Sequence, residues 1–381
     1  MELLAPAKDF ETGKIAINCG ADAVYIGGPK FSARRNAGNS IADIASLIGY
    51  AHRYLARVYV AMNTLLLNDG EVVSAVGSIQ SLYDAGADGV IIQDMGLLDA
   101  GLPRIPIIAS TQTHNHSVES VRFLEQVGFH RAILARELHA DEIAAIRAGT
   151  GNIELEVFVH GALCVSYSGR CYLSAALGGR SANRGDCAQP CRKRYRLETS
   201  AGGAVAEGHL LSVRDLCRID MLDALLDAGV TSFKIEGRLK NAAYVANVVT
   251  AYRQALDEAL LRRDQTGCGD NYTNRMEADL TKTFNRGYVT GFAQHKERMA
   301  SLNTPKMTGE EIGEVVAASQ NRIRLRGRRE VLPVAGDGVC FYHGDALLGT
   351  RVQKVEHEVV MVLDARGIEK GGFKRTGCGC G

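Results

Sequence analysis

A short phrase recurs along the chain: a stretch with helical spacing, a glycine, and then a compact apolar run. It reads NCGADAVYIGG (Asn18–Gly28), DAGADGVIIQD (Asp84–Asp94), QVGFHRAILAR (Gln126–Arg136) and DAGVTSFKIEGR (Asp227–Arg238). The glycine suits the first position past a helix, and the apolar run suits a parallel strand buried on both faces. Four more strands are predicted at ELLAP (Glu2–Pro6), RVYVAMN (Arg57–Asn63), RIPIIAST (Arg104–Thr111) and IELEVFVHG (Ile153–Gly161). Segments such as SVESVRFLEQVG and HADEIAAIRAG carry amphipathic helical spacing. Eight alternating units over roughly 240 residues predict an α/β fold of the (β/α)8, TIM-like barrel type. The competing doubly wound sheet needs a glycine-rich phosphate loop after its first strand. LAPAKDFETG is not G-x-G-x-x-G.

Chemistry in such barrels sits at the C-terminal ends of the strands. Those ends read Gly27 and Gly28, Asn63, Asp94, Ser110-Thr111-Gln112, Arg136, His160, and then Lys234, Glu236 and Arg238. Each alone is an ordinary polar residue at a loop start; together they outline a mouth lined with charge. Strand-end placement makes Asn63, Gln112, Arg136, Lys234 and Arg238 candidates for binding substrate. His160 and Glu236 become candidates for proton transfer. The connection between strands 7 and 8 is unusually long, at 161–229, and a long insertion on this face is usually functional.

A long helical run (Ala242–Arg263) follows the eighth strand, then the Gly/Asn/Thr-rich TGCGDNYTN. From Pro305 on, short β-like runs are separated by Gly and Asp. The barrel with its cysteine-rich insertion is therefore expected over 1–300, and a small β-barrel domain over 305–381. In the latter, RIRLRGRR places Arg322, Arg324, Arg326 and Arg328 on one face by period-two alternation. That face suits either a solvated, charge-guarded edge or contact with RNA phosphates. CRKRYR (Cys191–Arg196) raises the same pair of readings. Arg192, Lys193 and Arg194 could hold phosphates and the interleaved tyrosine could stack a base, or the run could be a solvated strand start.

Net charge is +1, so any binding to nucleic acid must come from such local patches. No apolar run approaches the length of a bilayer span, and MELLAPAKDFETGK lacks the basic start of a signal peptide; no membrane partner and a cytoplasmic location are expected. In that compartment ten cysteines are not a disulfide framework. Cys19, Cys217, Cys268 and Cys340 stand singly and suit small buried apolar residues, and Cys378 and Cys380 suit a tail. The remaining four are grouped as Cys164-x6-Cys171-x15-Cys187-x3-Cys191. Zinc knuckles favour two short pairs, and only the last pair here is short. The glycine-rich LGGRSANRGD would let backbone amides approach inorganic sulfur. A [4Fe–4S] cluster fits this spacing first, zinc second and unligated thiols third. Radical-SAM and H-E-x-x-H spacings are absent. A cysteine protease built on Cys164 and His160 lacks an obvious orienting carboxylate or oxyanion hole.

EVFVHGALCVSYSGRCYLS followed by GRSANRGDCAQPCR resembles the signature of the peptidase U32 family. The resemblance extends upstream through ELLAPAKDFETGKIAINCGADAVYIGG, MNTLL, ASTQTHN and ILARELHADEI. Downstream it runs through FKIEGRLKNAAYVANVV, FNRGY and NTPK, so it spans nearly the whole chain. It is closest to the collagenase-like, tRNA-hydroxylation branch. The resemblance implies an oxygen-independent RNA hydroxylase, dependent on prephenate as hydroxyl donor, forming 5-hydroxyuridine in tRNA or acting on an rRNA cytidine. It implies a [4Fe–4S] cluster on Cys164, Cys171, Cys187 and Cys191, and strand-end placement makes Arg136, Lys234 and Arg238 the candidates to hold the dicarboxylate. An electron-transfer or accessory protein is an implied partner. The alternatives are a U32-type collagenase or peptidase, and a zinc-bearing RNA-binding factor without turnover.

Overall fold

The computed structural model of the chain describes residues 1–34, 38–263, 277–291, 299–307, 309–326, 332–343, 346–364, 368 and 371–376. Cys268, Arg328, Cys378 and Cys380 lie outside them. Eight parallel strands form the first layer: β1 (Glu2–Ala7), β2 (Ala23–Gly27), β3 (Arg57–Met62), β4 (Gly89–Ile92), β5 (Ile107–Ala109), β6 (Arg131–Ile133), β7 (Glu154–Ala162) and β8 (Ser232–Ile235). Each pairs with the next, and β8 pairs with both β7 and β1, so the sheet closes as the hydrophobic pattern predicts. β5 is shorter than its apolar run because Pro106 has no N–H to give a ladder.

Helices follow the strands: α1 (Phe10–Asn18), α2 (Ile41–His52), α3 (Asp69–Asp84), α4 (Val118–Gln126) and α5 (Ala140–Ala148). α6 (Leu173–Gly178) lies in the insertion, and α7 (Leu222–Asp227) and α8 (Ala242–Arg263) flank β8. Asp9, Ser40, Asn68 and Ser117 cap the first four through side-chain oxygens that accept backbone N–H groups. The glycines of the recurring phrase close the other ends. Gly20, Gly86, Gly128 and Gly229 have φ of 100°, 89°, 94° and 81°. The residue after each donates back into the helix, as Ala21 N does to Ala16 O at 3.1 Å and Val230 N to Leu225 O at 3.1 Å. This is a Schellman end, and a side chain at the glycine would be strained. Among the described residues no helix is long and apolar enough to cross a membrane.

The barrel interior carries a buried ion network near the strand starts. Arg131, 1% exposed, donates to Glu2 (2.5 Å), Glu156 (3.0 Å) and Ser232 (3.3 Å), and its Nε donates to Glu154 (2.8 Å). Burial alone would raise the Glu2 carboxyl, but the Arg131 charge and hydrogen bonds hold it below its usual range. Arg131→Met should destabilise the protein by roughly 3–5 kcal/mol, the cost of leaving buried carboxylates without their cation. Urea unfolding reads this directly, and a wild-type midpoint would show that the network is dispensable.

The chain divides into two compact units. The first comprises 1–190, 216–278 and 289–298; the second gathers 191–215 and 279–288 with 299–381. The second contains a closed antiparallel barrel of β9 (Glu310–Ser319), β10 (Arg322–Arg326), β11 (Gly338–His343), β12 (Ala346–Glu356), β13 (Val359–Val362) and β14 (Gly371–Thr376), in the order β9-β10-β13-β12-β11-β14. Ile312, Val315, Ile323, Leu325, Phe341, Val352 and Val360 fill it. Along β10, Ile323 and Leu325 point to this core while Arg322, Arg324 and Arg326 are exposed, the alternation read from the sequence.

Candidate active site

The mouth of the parallel barrel is built from the loops that follow its strands. Lys234 lies deepest. Its Nζ is 2.7 Å from Glu156 and 4.2 Å from the Tyr25 ring centroid, and burial lowers its pKa despite that carboxylate. Its charge is already answered within the barrel. One turn of the strand further out, Glu236 accepts from Arg34 at 3.1 Å and from the Tyr25 hydroxyl at 3.3 Å. Burial works to raise its pKa, but the charges of Arg34, Arg136, Arg238 and Lys234 outweigh it and keep the carboxyl ionised. A carboxylate held that low is a weak proton acceptor and is suited to orienting cations.

Arg238 is buried and donates through Nη1 to Ser32 Oγ at 2.7 Å, with its guanidinium 5.5 Å from the Tyr25 ring centroid. Among the described residues its Nε has no hydrogen-bond acceptor, and burial depresses its pKa. Arg136 stacks 4.5 Å over Phe158 and directs Nη1 toward Cys164 Sγ at 3.5 Å; its Nε also has no acceptor. Arg218, fully buried, donates to the backbone carbonyls of Arg136 (3.3 Å), Leu138 (3.5 Å) and Phe158 (3.5 Å). It fixes the loop that carries Arg136, and burial pushes it down to about 10. The site therefore presents two guanidiniums whose Nε donors face no acceptor among the described residues. That arrangement favours an anionic ligand.

Asn63 and Gln112 serve this frame. Asn63 accepts from Ala33 N (3.1 Å) and donates to Ser110 Oγ (3.0 Å), tying together the loops after β2, β3 and β5. Gln112 offers its carbonyl to Gln93 at 3.5 Å. That same carbonyl lies under Gly169, where a Cβ would come within 2.1 Å of it. His160 is 1% exposed and packs against Tyr252 and Tyr244 at 5.4 and 6.1 Å between centroids. Burial, aided by Lys240, pushes its pKa down to about 3, so the ring is neutral at pH 7. The sign of the linkage follows. Between about pH 6.5 and 3 the unfolded chain takes up a proton that the native ring refuses, so native stability falls with acid by up to about 1.4 kcal/mol per pH unit. His160→Gln should reduce that acid slope without changing it above pH 7; equal slopes in urea titrations at pH 5 and 7 would contradict the burial effect.

The insertion lies across these loops. Arg184 donates to Leu65 O (2.7 Å) and pairs with Glu71 (2.6 Å), while Leu65 N donates to Asn183 O (3.0 Å). Glu137 accepts from both the Ser168 amide (2.6 Å) and hydroxyl (2.8 Å), and a Cβ on Gly185 would sit 2.2 Å from Ser32 O. Cys164, Cys171 and Cys187 are thereby carried on the mouth side of the barrel. Among the described residues they and Cys191 form no disulfide, and Cys164 is exposed while Cys171, Cys187 and Cys191 are half-buried. Cys187 Sγ accepts the Gln189 amide at 3.3 Å. Among the described residues no group of three or more His, Cys, Asp or Glu side chains is gathered for a metal ion. The donor chemistry of these thiols, with Cys164 and Cys187 already receiving N–H bonds, nonetheless suits thiolate ligation. In contrast Cys19 and Cys340 are buried as small apolar residues.

The basic run from Cys191 belongs to the second unit. Arg192 is spent on Ser212 Oγ (2.8 Å) and the Val213 carbonyl, and Arg194 pairs with Glu207 at 3.2 Å. Lys193 is exposed. On β10, Arg326 pairs with Glu314 at 2.5 Å, and Arg324 is exposed. Sequence reasoning missed Arg34, Tyr25, Ser32 and Arg218. Arg34 lay in a long basic loop after β2, the one signal that could have flagged it.

A thiol-bearing insertion folded over the charged mouth of a closed parallel barrel is the arrangement to compare with known proteins. The family model described as Peptidase family U32 matches residues 8–303, which hold β2 to β8 of the parallel barrel and the insertion. The chain belongs to peptidase family U32. This U32 protein is 45% identical over 361 residues to the 23S rRNA 5-hydroxycytidine C2501 synthase of Escherichia coli (strain K12). That match covers 93% of this chain and 54% of the relative, so the chain spans about half the relative's length. It is 33% identical over 387 residues to tRNA hydroxylation protein P1 of Bacillus subtilis (strain 168), covering 97% of this chain and 88% of that one. It is also 39% identical over 307 residues to an uncharacterized protease of Methanocaldococcus jannaschii, covering 77% of this chain and 72% of that protein.

Proposed function

We propose that this U32 protein hydroxylates a pyrimidine base of RNA, with prephenate as hydroxyl donor and a [4Fe–4S] cluster held by Cys164, Cys171, Cys187 and Cys191. The observation that carries the reading is the mouth itself: the free Nε donors of Arg136 and Arg238 around the ionised Glu236, beneath the thiol-bearing insertion. Two guanidiniums match a dicarboxylate in charge and fork geometry. Lys234 and Glu236 hold that frame rigid from inside the barrel, and Arg218 does so from its rim. When bound, the cluster would supply one-electron chemistry at the cysteine segment. The target base has to leave its stack to reach a barrel mouth. The exposed cations Lys193, Arg322 and Arg324 support phosphate contacts elsewhere on the chain.

The names of two relatives support RNA as substrate. The finer choice in this reading is 5-hydroxyuridine in tRNA, and the 45% identity to a cytidine enzyme favours 5-hydroxycytidine in 23S rRNA as the second reading. Nucleoside mass spectrometry of both RNA pools, from a deletion strain with and without the gene restored, separates them. Restoration of neither nucleoside would sink the hydroxylase reading. A peptidase reading has less support at this site. Cys164 Sγ faces Arg136 and His160 is packed among tyrosines, so no thiol–imidazole pair is formed there.

A further inference from the structure

Three aromatic rings stand together where the insertion crosses the loop after β5. His114 and His116 stack with centroids 4.2 Å apart and planes 20° from parallel, and the Tyr167 ring meets His114 edge-on at 6.0 Å. The arrangement is held from below. The His114 backbone is in the left-handed region at φ 61°, an uncommon state for a residue with a side chain. Its ring lies 3.7 Å from the Glu137 carboxylate, and that carboxylate is fastened to Ser168, next to Tyr167. His116 Nδ1 is 3.0 Å from the His114 carbonyl, which fixes the second ring over the first. Both loops and the insertion thus meet under these rings.

What they display is unusual for a surface. Tyr167 is 69% exposed and His116 is exposed, so flat π-faces are presented to solvent by a rigid support. Arg170 stands exposed three residues on, with its charge felt at His114, and forms no ion pair among the described residues. An open π-face beside an unanswered cation matches a nucleobase and its phosphate, since bases stack on aromatic rings whatever their sequence. A collagen-like peptide offers rings without the phosphate charge.

We infer that His116, His114 and Tyr167 form a stacking platform that receives an unpaired RNA base at the barrel mouth, with Arg170 beside it for a backbone phosphate. The inference rests on the RNA reading above but assigns residues that reading does not use. The test is a short single-stranded RNA carrying 2-aminopurine, titrated with the full-length protein. Wild type should bind it and quench the fluorescence by stacking. Tyr167→Ala and His116→Ala should each lose roughly ten-fold in affinity, the ordinary size of one base–aromatic stack, and most of the quenching. Tyr167→Phe should keep both, and unchanged thermal unfolding would confirm that the variants are folded. Tyr167→Ala and His116→Ala binding and quenching like wild type would overturn the platform while leaving the RNA reading intact. A wild-type protein that ignores RNA, or that binds a triple-helical Gly-Pro-Pro peptide in its place, would overturn both.

Discussion

Arg238→Ala should lower RNA modification by about 100-fold or more while leaving the fold and the metal content close to wild type. Arg238 is buried, its Nε meets no acceptor among the described residues, and its Nη1 donates to the neutral Ser32 hydroxyl. Among the described residues it forms no ion pair, although the Glu236 charge is felt there, and burial depresses its pKa. A cation kept this way is costly to the empty protein and gains most from an incoming carboxylate. Two charge-assisted hydrogen bonds at about 1.5–3 kcal/mol each account for at least the 100-fold expected. Removing this buried guanidinium relieves its own desolvation, and Glu236 keeps Arg34 as its ion-pair partner, so the fold should lose little. Arg238→Lys keeps the charge but not the planar fork, so it should fall between the two and raise the concentration of prephenate needed for half-maximal rate. Unchanged modification by the alanine variant would remove Arg238 from the site.

On the proposed reading, substitution of Cys171 or Cys187 by serine should strip most of the iron and acid-labile sulfide from anaerobically purified protein, against about four of each expected in the wild type. Cys19→Ser and Cys340→Ser provide the contrast. Both thiols are buried, Cys19 against Thr250, and should leave the metal content unchanged. The readout does not depend on activity, which separates loss of the cluster from loss of substrate binding. One zinc without sulfide in the wild type would overturn the cluster and favour the clasp that its spacing made the second choice. Equal iron in all the variants would remove the four thiols from ligation.

The two predictions draw on residues of different legibility. The cysteines were visible from spacing alone, because four thiols so close together in one segment are chemically conspicuous in any fold. Arg238 was visible only as the charged end of a strand. Its neighbours Asn63, Lys234 and Glu236 carried the same signal, yet the structure divides their roles. Asn63 clamps loops, Lys234 is neutralised by Glu156, and Glu236 is ionised among guanidiniums. His160 shows the same limit. Strand-end position suggested proton transfer, and burial against two tyrosines of α8 holds the ring neutral.

The sequence by itself determined the elements and their closure. Strand runs, side-chain caps and glycines with φ near +90° act over a few residues, so their physics is written in short windows and survives any tertiary context. Eight such units of matched length leave a closed parallel sheet as the arrangement in which no strand edge is exposed. Only the tertiary structure decided which charges meet. Arg34 reaches Glu236 across 202 residues and Tyr25 across 211, and Arg184 finds Glu71 across 113. Those pairings exist because β8 closes between β7 and β1 in one register and because the insertion folds back over the mouth. Electrostatic partners are set by distance in space and by the water removed around them. Neither quantity is defined until the barrel has closed.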